Sequence, residues 1–234
     1  MTTKDKKFEL FARDYKVSSL HIHNYKRRLN IKKTADSGGI MPHVVEERSQ
    51  NMSVMDVFSR LMMDRIIFLG TDIDDYVANV INAQLLYLEE DNDEAPVSLY
   101  INSPGGEVYS GLSIYDTMNI IDIPVHTCVA GMAASMAFIL AISGEKGCRS
   151  ALEHSRLMQH QPSGGVIGDA KSMEIEYKEI SKVQNSLYKI ISNKTSQSLR
   201  KVTKDCDRDY WMSSEEAKNY GAIDEVLTKS NRKS

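Results

Sequence analysis

The stretch Gly131-Met132-Ala133-Ala134-Ser135-Met136-Ala137 sets one hydroxyl among residues too small to hide it. A strand-like run, Val125–Val129, leads in, and a helix-like run through Ile142 leads out. A helix N-terminus presents unpaired backbone N–H groups, which stabilise negative charge developing beside them. That setting suits a serine nucleophile whose reaction passes through an oxyanion. The plainer alternative is that small residues only let a helix pack close to a sheet.

A serine hydroxyl needs a base, and an imidazole base needs a carboxylate to hold its tautomer and stabilise its cation. His160 ends an apolar run twenty-five residues after Ser135. Asp209 lies forty-nine residues further, in Asp205-Cys206-Asp207-Arg208-Asp209-Tyr210-Trp211. Each has a plain alternative: a hydrogen-bonded core histidine, and an ion pair of Asp209 with Arg208 or Arg200. The oxyanion needs two converging N–H donors. Met136, just after the serine, offers one, and a glycine of the turn Asn102-Ser103-Pro104-Gly105-Gly106 is a natural second.

Other motifs carry less. Gly164-Gly165-Val166-Ile167-Gly168 looks like a phosphate loop, but Lys171-Ser172 follows too late for that spacing. His21-Ile22-His23 has no nearby cysteines to complete a metal site. The three cysteines, Cys128, Cys148 and Cys206, are odd in number and widely spaced. They make neither a disulfide framework nor a metal pair, which fits a reducing cytoplasm.

The elements that must position these residues alternate. A helix from Ser53 to Met62, with Asp56 completing a capping box, precedes a strand at Arg65–Leu69. Apolar residues at Ile73, Val77, Val80, Ile81, Leu85 and Leu88 give a helix over Asp72–Leu88. A strand at Val97–Ile101 and a helix at Ser110–Ile121 follow. Beyond the Ser135 helix come a strand at Ser155–His160, a long helix at Ala170–Asn193 and a short one at Ser198–Thr203. A helix capped by Ser213 and Glu216 and ended by Gly221 leads to a last strand, Ile223–Leu227. Strands alternating with helices predict an α/β fold with largely parallel strands.

At 234 residues the chain makes one domain plus a tail. No apolar run is long enough to span a membrane, and no signal-peptide core opens the chain. The net charge of -3 hides an asymmetry: residues 1–40 carry ten Lys/Arg against four Asp/Glu, whereas residues 41–234 carry nineteen against twenty-eight. The acidic body makes a poor general nucleic-acid binder. Residues 1–40 read as a flexible basic extension and residues 41–234 as the folded domain, with Ser37-Gly38-Gly39 as linker.

Four motifs in register carry a resemblance: Asn102-Ser103-Pro104-Gly105-Gly106, Gly131-Met132-Ala133-Ala134-Ser135-Met136, His160-Gln161-Pro162-Ser163-Gly164-Gly165 and Arg208-Asp209-Tyr210-Trp211-Met212-Ser213. Together with Tyr115-Asp116-Thr117-Met118 they resemble the Clp peptidase family, over about Met41 to Leu227, with residues 1–40 outside. The resemblance implies a Clp/crotonase-like fold of stacked βαβ units with a protruding strand-helix handle. It implies Ser135 as nucleophile, His160 as general base and Asp209 as its orienting residue. The N–H groups of Gly106 and Met136 would form the oxyanion hole. Gly164, Gly165 and Val166 would lie along the bound peptide, and Asp169 and Arg208 at a ring–ring contact. The activity would be hydrolysis of unfolded polypeptides to short peptides, with no metal and no organic cofactor, inside two stacked heptameric rings. An ATP-driven AAA+ Clp unfoldase would feed the chamber, which alone would cut only short peptides.

Gln159 and Ser163 depart from the family, flanking the histidine where apolar residues are usual. An aspartate at 169 instead of an amide predicts pH-sensitive ring stacking. Ser98 and Ser150 stand where aromatics usually line the unfoldase-docking clefts, although Tyr100 and Leu86 remain. We therefore expect weak docking, or rings mixed with a second Clp subunit. Residues 1–40 are expected to be a leader removed near Gly39–Pro42. Two further readings are a weakly active regulatory ring subunit and a crotonase-type acyl-CoA enzyme; for the latter no basic CoA pocket is evident.

Overall fold

A computed structural model describes residues 43–48, 51–163 and 168–230 of the chain. The chain divides into two units, Met1–Val57 and Phe58–Ser234. The described part of the first is an antiparallel hairpin of β1 (His43–Arg48) and β2 (Asn51–Asp56), in which His43 faces Asp56 and Arg48 faces Asn51. This overturns the helix expected from Ser53. Residues 51–56 take their hydrogen bonds from a neighbouring strand, and the helix α1 begins only at Val57 (Val57–Met63).

The second unit is built on one sheet, ordered β3 (Ile66–Leu69), β4 (Val97–Ser103), β5 (Val125–Ala134), β6 (Arg149–Leu152) and β9 (Glu225–Leu227), all parallel. β7 (Arg156–Gln159) and β8 (Tyr210–Ser213) branch from it. Helices α2 (Asp75–Asp91), α3 (Val108–Ile120) and α4 (Met136–Ser143) follow β3, β4 and β5 in turn. The remaining helices are α5 (Ala170–Thr195), α6 (Leu199–Asp205) and α7 (Ser214–Tyr220). The expected α/β fold with a mainly parallel sheet is present. β6, β8 and the hairpin, which no periodicity announced, are additions.

Burial follows residue type. α4 is apolar on every side, and all eight of its residues are buried, as a helix without a polar face must be. α2 buries Ala78, Ile81, Leu85 and Leu88 and leaves Val80 outside. Its N-cap is Asp74, so it starts three residues later than the pattern suggested. α7 has the expected capping box of Ser213 and Glu216 and ends at left-handed Gly221.

One buried ion pair locks the back of the sheet. The Arg149 side chain, 6% exposed, donates from Nε and Nη2 to Asp224 at 2.9 and 2.6 Å, and from Nη1 to Lys194 O at 2.8 Å. Burial pushes the Asp224 carboxyl up, but its hydrogen bonds from Arg149 and Gly147 outweigh this and hold it below the usual carboxylate range. Arg149→Ala would leave that carboxylate without its cation, so a loss of about 3–5 kcal/mol is expected. A urea-melt midpoint unmoved by Arg149→Ala would refute this.

β5 is the strand that sets the site. Its first half, Thr127–Val129, pairs with β6, and its second half, Met132–Ala134, pairs with β7. The changeover falls at a bulge. Ile101 faces Val129 and Ser103 faces Ala133, so two steps on β4 meet four on β5. Gly131 sits there at φ 122°, and a Cβ on it would come within 2.5 Å of Asn102 Oδ1. Asn102 Oδ1 accepts from Met132 N at 3.1 Å, and buried Ser155 accepts from Gly131 N at 3.1 Å while donating to Val129 O at 2.8 Å. These bonds hold the bulge, and the bulge brings β7, with the histidine after it, alongside the end of β5.

Candidate active site

Ser135 occupies the single residue between β5 and α4, at φ 56° and ψ -123°. A non-glycine residue at positive φ is strained and persists only where its surroundings over-determine it. Here Ser135 N donates to Met158 O at 3.0 Å, and Ser135 O accepts from Phe138 N at 3.0 Å. The side chain makes no cap bond to its own helix. It points instead at His160, with Oγ 2.8 Å from Nε2.

His160 follows β7 and is held from the other side by Asp209, whose Oδ1 lies 3.2 Å from Nδ1. A carboxylate facing Nδ1 places the ring proton there, so Nε2 is the acceptor and Ser135 Oγ–H the donor. Asp209 thus pairs with the histidine, and Arg208 donates to Asp207 O instead. The Asp209 side chain is 63% exposed, against 25% for His160, so solvent screens the outer link more than the inner one.

Gln161 joins the two loops that carry these residues. Its N–H donates to Cys206 O at 2.7 Å and its Nε2 to Asp207 O at 3.0 Å. Gln161 and Asn102 stand in the motifs and Ser155 opens a strand, but the sequence assigns none of them a role, because an amide or hydroxyl that braces backbone has no periodicity or spacing to mark it. Cys206 is fully buried, with its thiol pushed up to about 12, first by burial and then by Asp205, so it stays protonated.

The turn after β4 lies against the serine. A Cβ on Gly105 would come within 2.5 Å of Ala134 O, 2.7 Å of Ser135 Cβ and 2.9 Å of Met136 N. A bridge fixes the turn: Ile73 N donates to Gly105 O at 2.8 Å and Glu107 N to Ile73 O at 2.9 Å. These bonds use the groups on either side of Gly106 and leave the Gly106 N–H out of the bridge. Met136 N–H is the first of α4, where no preceding turn offers an acceptor. The turn that carries Gly106 and the first N–H of α4 thus lie on fixed backbone around the serine.

A cavity of about 600 Å³, larger than those beside the serine, lies apart from it, among the C-terminal ends of α3, α4 and α5. Two of its three cations are engaged there, with Lys194 Nζ donating to Ser143 O at 3.2 Å and Arg149 donating to Lys194 O. We read it as a place where side chains satisfy helix-end carbonyls. Among the described residues no cluster of His, Cys, Asp and Glu could hold a metal ion. No described helix is long and apolar enough to cross a membrane. His21, His23, Gly164, Gly165 and Val166 lie outside the described residues.

A hydroxyl within hydrogen-bond reach of an imidazole, and the imidazole held by a carboxylate, make up the arrangement of a serine hydrolase. The family model for Clp protease matches residues 48–230. The chain belongs to the Clp protease family and is a serine-type endopeptidase. It is 56% identical over 195 residues to an ATP-dependent Clp protease proteolytic subunit of Bacteroides fragilis, covering 83% of this chain and 94% of that one. It is 53% identical over 218 residues to that of Porphyromonas gingivalis, covering 93% and 98%. To subunit 1 of Salinibacter ruber it is 45% identical over 193 residues, covering 82% and 83%. Since the second match takes in 218 of 234 residues, at least 24 of the first 40 fall within it. The likeness therefore reaches further toward the N-terminus than the motifs did.

Proposed function

We propose that Ser135 attacks the scissile carbonyl, that His160 Nε2 takes its proton and returns it to the leaving amine, and that Asp209 orients His160 and stabilises its cation. Gly106 N–H and Met136 N–H receive the oxyanion. The observation that carries this is the 2.8 Å contact between Ser135 Oγ and His160 Nε2, made by a serine at strained positive φ. The test is labelling of the purified chain by a fluorophosphonate, beside Ser135→Ala, with size-exclusion on both. Labelling of a large particle that disappears in the variant is the expected result. An assembled native particle that takes no label would refute the assignment and turn the reading toward a regulatory ring subunit.

The relatives' names describe ATP-dependent proteases, which supports an AAA+ Clp unfoldase as partner, unfolded polypeptides as substrates and two stacked heptameric rings as the assembly. Gly164, Gly165 and Val166 are assigned to the bound peptide by resemblance alone. The first half of α5 buries no residue and exposes Ile175 and Tyr177, at 68% and 71%, which suits a handle between rings. Ser98 and Ser150 are both half-buried, on β4 and β6 either side of β5, where they face His126 and Cys128. Ser150 donates to Thr127 O at 3.1 Å. Two small hydroxyl side chains, that of Ser150 turned to backbone, offer a docking loop little apolar surface, which favours weak docking or mixed rings. A pull-down in which this chain alone retains an unfoldase as firmly as other members do would overturn that. We assign the body to the cytoplasm and residues 1–40 to a leader; intact mass with Met1 retained would refute the leader.

Asp169 and Arg208 are assigned to the ring–ring contact. Asp169 caps α5, accepting from Lys171 N at 2.9 Å and from Ser172 N at 3.0 Å. Hydrogen bonds from Ser172 N–H and Oγ–H, then Lys171 N–H, hold its carboxyl below the ordinary value. A depressed pKa contributes stability that is present above the unfolded value and lost as pH falls through the folded one. Asp169 therefore keeps its charge through mild acid, so a ring contact that uses this carboxylate should weaken only below the ordinary aspartate range. Sedimentation against pH tests this; dissociation near pH 6 that Asp169→Asn abolishes would contradict it.

A further inference from the structure

The Asp209 carboxylate is more than half exposed, and among the described residues its one hydrogen bond is to His160. Nothing else aims it, so its place beside Nδ1 depends on the backbone that carries it. On one side that backbone is held by the ladder of β7 and β8, whose last pair sets Gln159 opposite Tyr210. His160 and Asp209 are the next residues beyond that pair. On their far side, where the ladder has ended, Gln161 takes over. Its N–H donates to Cys206 O at 2.7 Å and its Nε2 to Asp207 O at 3.0 Å. Cys206 is the C-cap of α6, where carbonyls have no partner within the helix. Arg208 also donates to Asp207 O, but it belongs to the same loop and does not tie that loop to the histidine. The Gln161 amide has one orientation open to it. Its Oε1 accepts from Gln184 Nε2 at 3.4 Å, and the same Nε2 donates to Tyr188 OH at 3.0 Å. Turned over, the amide would set oxygen against the Asp207 carbonyl and nitrogen against the Gln184 nitrogen.

We propose that Gln161 is a positioning residue for peptide hydrolysis, and that its side-chain amide acts through Asp209. The amide pins the loop before Asp209 so that the carboxylate stays opposite His160 Nδ1, and Gln184 on α5 keeps the amide turned the right way. Gln161 itself is no catalytic residue, because its amide meets a backbone carbonyl and a second amide rather than Ser135 or the His160 ring. Removing the amide keeps the bond from Gln161 N–H to Cys206 O, which any residue but proline makes, so the fold stands. The loop can then pivot about that bond. An imidazole whose carboxylate has swung away loses the hold on its tautomer and the stabilisation of its cation. A misplacement of about 1 Å in such a group costs up to about 10²-fold. This rests on Ser135, His160 and Asp209 acting as proposed above.

The test measures kcat and KM on a fluorogenic peptide for Gln161→Met, which keeps the shape without donor or acceptor, and for Gln184→Met. Each is made alone and with Asp209→Ala, with a thermal melt and size-exclusion on all. Where hydrolysis is too slow to follow, the rate of fluorophosphonate labelling replaces it. Gln161→Met is expected to lower kcat about 10–100-fold and to leave KM within about twofold. Gln184→Met should act in the same direction and less. In the Asp209→Ala chain, Gln161→Met should cost less than about twofold, because a residue that works through Asp209 then has nothing left to position. A fall smaller than about threefold in the native chain, or larger than about twofold in the Asp209→Ala chain, overturns the proposal and leaves Gln161 a structural residue. If Gln161→Met does not assemble, Gln184→Met decides: a fall of at least about twofold that vanishes beside Asp209→Ala supports the proposal, and any other result overturns it. Asp209→Ala that is as slow as expected, with Gln161→Met as fast as native, removes this inference alone. Asp209→Ala that cuts like the native chain removes the role given to Asp209, and this inference with it.

Discussion

Ser135→Ala is expected to lower kcat on a short peptide by about 10⁶-fold while leaving particle size unchanged. In the proposed mechanism the hydroxyl makes the covalent bond to the substrate, and its methyl replacement fits where the side chain already stands free of its own helix. His160→Ala should cost nearly as much, and the double variant little more than either, because nucleophile and base act as a unit. Asp209→Ala should cost less, about 10³–10⁴-fold. Its carboxylate is 63% exposed and 3.2 Å from Nδ1, so water can take over part of its work on the imidazolium. Equal losses from Asp209→Ala and Ser135→Ala would show that the outer link is far more enclosed in the working particle than this exposure implies.

The residues on this axis were legible because chemistry restricts their type. A serine among small residues, a histidine ending an apolar run and an aspartate beyond it announce themselves by identity. The structure brings all three together. Periodic helices were legible for a parallel reason: α2 along its length, and α5 over its second half, turn an apolar stripe inward. What escaped were elements whose hydrogen bonds come from far along the chain. Ser53 and Asp56 have capping-box spacing, yet pair across a hairpin with Glu46 and His43. β6 and β8 are four residues each, too short to show alternation. The changeover from β6 to β7 along β5 depends on Asn102 and Ser155, which are thirty residues upstream and twenty-four downstream of the groups they hold. No local pattern encodes such a meeting.

Gly105→Ala is expected to reduce kcat by at least 10²–10³-fold, the loss associated with displacing an oxyanion donor. The added methyl meets Ala134 O at 2.5 Å, Ser135 Cβ at 2.7 Å and Met136 N at 2.9 Å. None is the end of a flexible side chain, so either the turn or the nucleophile must move. Moving the turn displaces Gly106 N–H; moving the serine displaces Met136 N–H and lengthens the contact to His160. Gly106→Ala should be worse, because its methyl would fall 2.1 Å from Ile73 O and break the bridge that fixes the turn. Gly147→Ala is the control. It also sits at positive φ, 91°, but a methyl there meets nothing within 4 Å. It should cost about 1–2 kcal/mol of backbone strain and no catalysis. Because binding contacts remote from the turn are kept, Gly105→Ala should act on kcat more than on KM, and labelling of Ser135 should slow in proportion. A Gly105→Ala chain that melts like the Gly147→Ala control and still cuts within twofold of the native rate would show that this turn does not serve the oxyanion, and the second donor would have to be sought elsewhere around Ser135.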